Sequence, residues 1–258
     1  MKKTIVILIL LFPSVLISQD LKYFFSAELE ENIIIPERRI ALIIANTDYN
    51  NDRLDLKNPI NDANLIAQTL GSLDFEVIFK ENLDLIQTRE TIIEFGNKHI
   101  EYDFSIIYYA GHAFQDENGN SFLIPVDFSN ESKFENAAFP LNNILRYFEF
   151  KENPTLLILD ACRKTNNKGL SKPLIEEPLN VKLAYSTAYG KTADDNTDED
   201  NTPYTSSLSN YFKKKGLSIR DILHNTSLRV RKGTEGKQVP AHHFGMLVED
   251  LQLIKVVD

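Results

Sequence analysis

Only one cysteine, Cys162, stands among the 258 residues, so no disulfide can form within the chain and cysteine-rich metal scaffolds are excluded. Positive charge is the scarcer sign. There are 28 lysines and arginines against 37 aspartates and glutamates, a formal net charge of −9. That balance argues against nucleic acid or an anionic lipid surface as a main partner. Glycine is sparse, and no glycine-rich phosphate loop occurs. The longest apolar stretch is too short and too interrupted for a comfortable membrane span. What remains is a globular composition, 43% hydrophobic and 25% charged, with length enough for one α/β domain and a leader.

The leader is residues 1–19. Lys2 and Lys3 precede an apolar run from Ile5 to Phe12, which Val15 to Ile17 extend past Pro13, and Ser18 is small enough for a cleavage site. This pattern predicts a secretory signal peptide. The mature chain would be exported, periplasmic or secreted, with no membrane attachment. The alternative is an uncleaved N-terminal anchor. Residues 20–37, acidic and carrying Ile33-Ile34-Ile35 before Pro36, read as a tether or pro-segment, and residues 38–258 as the folded domain.

Within that domain, near-continuous apolar runs predict strands at Arg39–Ala45, Phe75–Phe79, Phe104–Tyr109, Thr155–Leu159 and Lys182–Ser186. Apolar residues at helical spacing predict helices over Pro59–Leu70, Leu85–Ile100, Pro203–Phe212 and Ile219–Val230. Strands alternating with helices imply an α/β fold, a mostly parallel central sheet with helices on both faces. Polar segments at 46–59, 164–180 and 194–201 read as loops. In such sheets ligands bind beyond the carboxyl ends of the strands.

Two stretches deliver reactive side chains at that edge. Ile106-Ile107-Tyr108-Tyr109-Ala110-Gly111-His112-Ala113 ends in a histidine. Fifty residues later, Leu156-Leu157-Ile158-Leu159-Asp160-Ala161-Cys162-Arg163 ends in the lone cysteine. A cysteine nucleophile and a histidine base are the minimum set for acyl transfer. His99, His224, His242 and His243 show no zinc spacing, so no metal site and no cofactor are expected.

These stretches resemble the caspase-like cysteine peptidases (peptidase C14), in their metacaspase and orthocaspase branch. The resemblance runs from about Arg39 to Leu253. It includes Arg39-Ile40-Ala41-Leu42-Ile43-Ile44, Asn58-Pro59-Ile60-Asn61-Asp62-Ala63, Tyr108-Tyr109-Ala110-Gly111-His112, Phe122-Leu123-Ile124-Pro125-Val126-Asp127 and Asp160-Ala161-Cys162-Arg163. Ala184-Tyr185-Ser186-Thr187-Ala188, Thr202-Pro203-Tyr204-Thr205 and Thr234-Glu235-Gly236-Lys237-Gln238-Val239-Pro240 complete it.

The resemblance implies a caspase-like three-layer sandwich, with Cys162 as nucleophile and His112 as its partner. It names no third side chain to orient the imidazole. The backbone N–H groups of Ala113 and Cys162 would bind the oxyanion. Asp62 and Asp160, with Ala110 and Ser186, would line the pocket for the residue before the scissile bond. Acidic walls favour substrates, peptide or protein, with Arg or Lys at that position.

Three departures stand out. Ala113 replaces the family's usual glycine and gives up easy access to positive φ. Ala110 replaces a frequent serine. Phe139-Pro140-Leu141-Asn142 stands where many metacaspases carry an acidic calcium pair, so calcium dependence is not expected. The alternative reading, drawn from the first and last of these, is a caspase-fold binding or scaffold protein with little turnover.

Overall fold

The computed structural model describes residues 37–116, 120–129, 137–149, 153–161, 163–165, 180–187, 200–242 and 251–254. The expected signal peptide and the expected tether up to position 36, Cys162, His243 and both long loops at 166–179 and 188–199 lie outside the described residues.

The main sheet has six strands: β1 (Arg39–Ala45), β2 (Phe75–Glu81), β3 (Phe104–Ala110), β7 (Thr155–Asp160), β9 (Val181–Tyr185) and β10 (Ala241–His242). Their order is β10-β9-β7-β3-β1-β2. All neighbours are parallel except β10, which runs antiparallel to β9. The central strands are buried along their whole length, which explains their unbroken apolar sequences.

Alternation along each strand divides the core into two halves. Ala41, Ile43, Ile106, Tyr108, Leu156 and Ile158 point to one face. There they meet α1 (Pro59–Gly71), α4 (Pro203–Phe212) and α5 (Ile219–Gly233). Ile40, Leu42, Ile107, Tyr109, Leu157 and Leu159 point to the other, against α2 (Leu85–Lys98) and α3 (Leu141–Glu149). The result is the expected three-layer sandwich. Caps hold the helix starts: Asp84 and Gln87 form a reciprocal capping box on α2, Ser218 and Asp221 do so on α5, and Thr202 caps α4.

A second sheet was not expected. It consists of β4 (Ala113–Gln115), β5 (Ser121–Leu123), β6 (Phe139–Pro140) and β8 (Arg163–Thr165), in the order β6-β5-β4-β8. Its β4 continues from β3, and its β8 continues from β7. The registers match: Ala110 pairs with Asp160 in the main sheet, and Ala113 pairs with Arg163 in the small one. Two neighbouring strands therefore leave one sheet and enter the other side by side. Counted along the chain, His112 and Cys162 each come two residues after the rung Ala110–Asp160. Among the described residues no helix is long and apolar enough to cross a membrane.

Candidate active site

His112 is half-buried at the step from β3 to β4. Its backbone is fixed on both sides. The N–H donates to the Tyr49 hydroxyl at 3.0 Å, and the carbonyl accepts from the Tyr109 hydroxyl at 2.8 Å and from Ile124 N–H at 3.0 Å. The Tyr49 ring packs against the imidazole, with centroids 5.0 Å apart. Burial pushes the Tyr49 hydroxyl up to about 12 and Tyr109 well above its ordinary range, so both remain protonated near neutral pH.

The imidazole has an orienting partner that sequence reading missed. His112 Nε2 lies 2.8 Å from the Leu54 carbonyl oxygen. A backbone carbonyl only accepts, so Nε2 carries the hydrogen and the neutral ring keeps its lone pair on Nδ1. The partner is main chain, which no motif can reveal.

Gly111 sits at φ +155°, and a Cβ there would lie 2.8 Å from the Tyr109 hydroxyl oxygen and 3.1 Å from that of Tyr49. The close approach of those two phenols to the histidine backbone requires glycine at this position. Ala113 is not among the residues with positive φ. It opens β4 in ordinary strand pairing with Leu123 and Arg163. An alanine is therefore unstrained there, and one motive for the scaffold reading falls away.

Cys162 itself lies outside the described residues, but Asp160 and Ala161 before it and the Arg163 backbone after it do not. Asp160 ends β7 and points to the α1/α4 face. It is 7% exposed. Its Oδ2 accepts from the hydroxyls of Thr205 at 2.6 Å, Thr202 at 3.1 Å and Tyr108 at 3.1 Å. Asp62, in the first turn of α1, is 2% exposed. Its Oδ1 accepts from Thr202 N–H at 2.9 Å and Asn201 Nδ2 at 3.1 Å. Thr202 thus joins the two carboxylates, through its N–H to one and its hydroxyl to the other. It also accepts from Thr205 N–H as the cap of α4.

Burial, and then the Asp160 charge, push the Asp62 carboxyl up from its ordinary 3.8 to about 8. Among the described residues neither carboxylate has a lysine or arginine partner. Asp62 Oδ2 and Asp160 Oδ1 take no part in the bonds above.

Two further sequence-predicted residues lie in the same region as wall, not surface. Ala110 is 1% exposed and ends β3, and Ser186 is fully buried just beyond β9. The Ser186 N–H donates to the Leu159 carbonyl at 2.9 Å, and its carbonyl accepts from Gln238 Nε2 at 2.8 Å. Gln238 belongs to the last motif of the resemblance, and nothing in its sequence context points to this bond. Its own backbone N–H is held by the Thr234 hydroxyl at 3.1 Å. Among the described residues no group of three acidic, histidine or cysteine side chains is arranged to hold a metal.

Two comparisons bear on this arrangement. The chain is 31% identical over 159 residues to mucosa-associated lymphoid tissue lymphoma translocation protein 1 of Homo sapiens, a match covering 60% of this chain and 19% of that protein. The homolog from Mus musculus matches to the same extent. Caspase-1 of Rattus norvegicus is 27% identical over 132 residues, covering 48% of this chain and 31% of its own length. The chain thus spans less than a third of these curated relatives. The family model for the caspase domain, Peptidase C14, matches residues 38–252. With that match running from the first strand through to the last described stretch, the chain belongs to the caspase-domain peptidases.

Proposed function

We propose that this chain is a cysteine endopeptidase of metacaspase-like type that cleaves after arginine or lysine. The observation that carries the reading is the buried pair Asp62–Asp160, bridged by Thr202 and lacking a basic partner among the described residues. Two carboxylates held this close repel each other, and a guanidinium between them relieves the repulsion. Its planar fork can use one oxygen from each, which favours arginine over the point charge of lysine.

His112, with Nε2 on the Leu54 carbonyl, takes the Cys162 proton at Nδ1. The thiolate sulfur bonds to the scissile carbonyl carbon. The N–H groups of Ala113 and Cys162 bind the oxyanion, each contributing about 3 kcal/mol as in other hydrolases. The C–N bond then breaks as the histidine proton passes to the departing amine. Water attacks the thioester, releasing the acid and restoring the thiol. Ala110 and Ser186 back the pocket. Nothing in this sequence of steps draws on a cofactor or metal. The leader at 1–19 supports delivery by the export route.

The test is a set of fluorogenic peptides differing only at the cleaved residue. Arginine should be at least as good as lysine, with aspartate hardly cleaved. A preference for aspartate would overturn the pocket assignment. N-terminal sequencing of exported protein, expected to begin near residue 20, tests the leader.

A further inference from the structure

His112 takes two contacts from a single loop, residues 46–56. Leu54 gives the carbonyl that accepts from Nε2, and Tyr49 gives the hydroxyl and ring that hold the backbone and imidazole. This loop has little regular structure, only a single 3-10 turn at Asp52–Leu54. Its position comes from a few bonds within the loop, such as Leu56 N–H to the Thr47 carbonyl at 3.1 Å, and from bonds to the strands and loops around it.

Asn46 is tied to Ala110, Ile124 and Leu83, and Asn50 to Val126; between them, the bonds of the Thr47 and Asp48 N–H groups converge on one side chain. Asn82 Oδ1 accepts from the N–H groups of Thr47 at 2.9 Å and Asp48 at 3.1 Å, the two residues before Tyr49. Its Nδ2 donates to Asp48 Oδ2 at 3.2 Å, and its own N–H donates to the Ala45 carbonyl at 2.8 Å. Asn82 follows β2 directly and stands at φ +50°. A non-glycine residue in the left-handed region carries strain, which asparagine tolerates best because its short amide can bond locally. Here that conformation turns the amide back across the sheet edge onto the loop.

We infer that Asn82 is a positioning residue for His112, setting the loop that presents the Leu54 carbonyl and Tyr49 to it. The inference rests on the assignment of His112 as the catalytic base. Among the described residues Asn82 bonds to the loop and to Ala45, not to His112, and it acts through the loop. Asp55, which accepts from Tyr49 N–H at 2.8 Å, closes the loop from the other side.

Two variants separate this role from general stability. Asn82→Gly keeps the backbone conformation and removes the acceptor. Asp48→Asn with Asn82→Asp exchanges the amide and the carboxylate, retaining an acceptor for both N–H groups and the side-chain bond. The first readout is 15N NMR of labelled histidine in the full chain, with the His112 signal assigned by its loss in His112→Gln. In the parent the neutral ring should carry its hydrogen on Nε2. Asn82→Gly should give a mixture of tautomers, and the exchanged pair should restore the Nε2–H form. The second readout is peptide cleavage. For Asn82→Gly kcat should fall roughly ten- to a hundredfold with KM within about twofold, as expected when a base is displaced but the substrate pocket is not. The exchanged pair should recover most of it. An unchanged tautomer in Asn82→Gly, or an exchanged pair no better than the glycine variant, would overturn the inference. The ring readout decides this whether or not the parent chain cleaves peptide. Absence of cleavage in the parent would count against the peptidase reading alone.

Discussion

Binding of a guanidinium between Asp62 and Asp160 should release a proton. Asp62, raised to about 8 by burial and the Asp160 charge, is mostly protonated at pH 7 and mostly ionised at pH 9. A guanidinium favours both carboxylates ionised. Binding at pH 7 should therefore expel a larger fraction of a proton per site than binding at pH 9, with affinity rising between the two. Acetyl-arginine amide is a suitable probe, since its only charge stays on across this range. Cys162→Ala protein prevents turnover and removes the thiol titration. Calorimetry in two buffers of different ionisation enthalpy counts the protons directly. Asp62→Asn, which keeps an acceptor for Thr202 N–H, should abolish both the release and the pH dependence. The same proton bears on stability. The folded state holds it up to about pH 8 whereas an unfolded aspartate loses it near its ordinary 3.8, so stability without ligand should fall between those pH values, by up to about 1.4 kcal/mol per pH unit. Equal affinity at pH 7 and 9 with no proton released would refute the idea that these two carboxylates form the basic pocket.

Cys162→Ala and His112→Ala should each abolish cleavage while leaving thermal unfolding close to the parent, and the double variant should be no worse than either alone. Asp160→Ala should cost more in kcat/KM for arginine substrates than Asp62→Ala, on the order of 2–3 kcal/mol or roughly thirty- to two-hundred-fold, because it also takes the shared acceptor from three hydroxyls. Gly111→Ala should lower kcat roughly ten- to a hundredfold, since its methyl must displace the two phenols that hold His112, and a crystal structure showing both phenols in place would refute that cause. Activity in excess EDTA should stay within a few-fold of that in millimolar calcium. Leu141, in the region where an acidic ligand pair would stand, is instead fully buried at the start of α3, and a large calcium stimulation would contradict this.

Four strands of the main sheet, β1, β3, β7 and β9, were legible because they are buried on both faces; the edge strand β2 was also read from its apolar residues, whereas the two-residue β10 was not. Arg39–Ala45 and Phe104–Ala110 are apolar almost throughout, and Pro59 marks the helix after β1 at its first residue. The small sheet was not legible, because strands of two or three residues have no room for a period. Helix α3 is a different kind of miss. Leu141, Ile144, Leu145 and Phe148 have helical spacing and are buried, but the stretch was read only for calcium ligands. At the site, the side chains that carry chemistry stand out by type, while the groups that orient them do not. Leu54 contributes a carbonyl and Thr202 an N–H, and any residue has those. Tyr108 left a faint signal: a hydroxyl in a fully buried strand must find a partner, and it finds Asp160 and Thr205.

The paired exit of β3–β4 and β7–β8 works as a ruler. The proposed base and nucleophile are each counted from the same rung, Ala110 opposite Asp160, and each connection closes on the next shared rung, Ala113 opposite Arg163. Spacing along the chain is thereby converted into alignment across it. A residue inserted into one connection alone would put the two counts out of step, however conservative its chemistry. This part of the chain should therefore tolerate changes of side chain at many positions and changes of length at none.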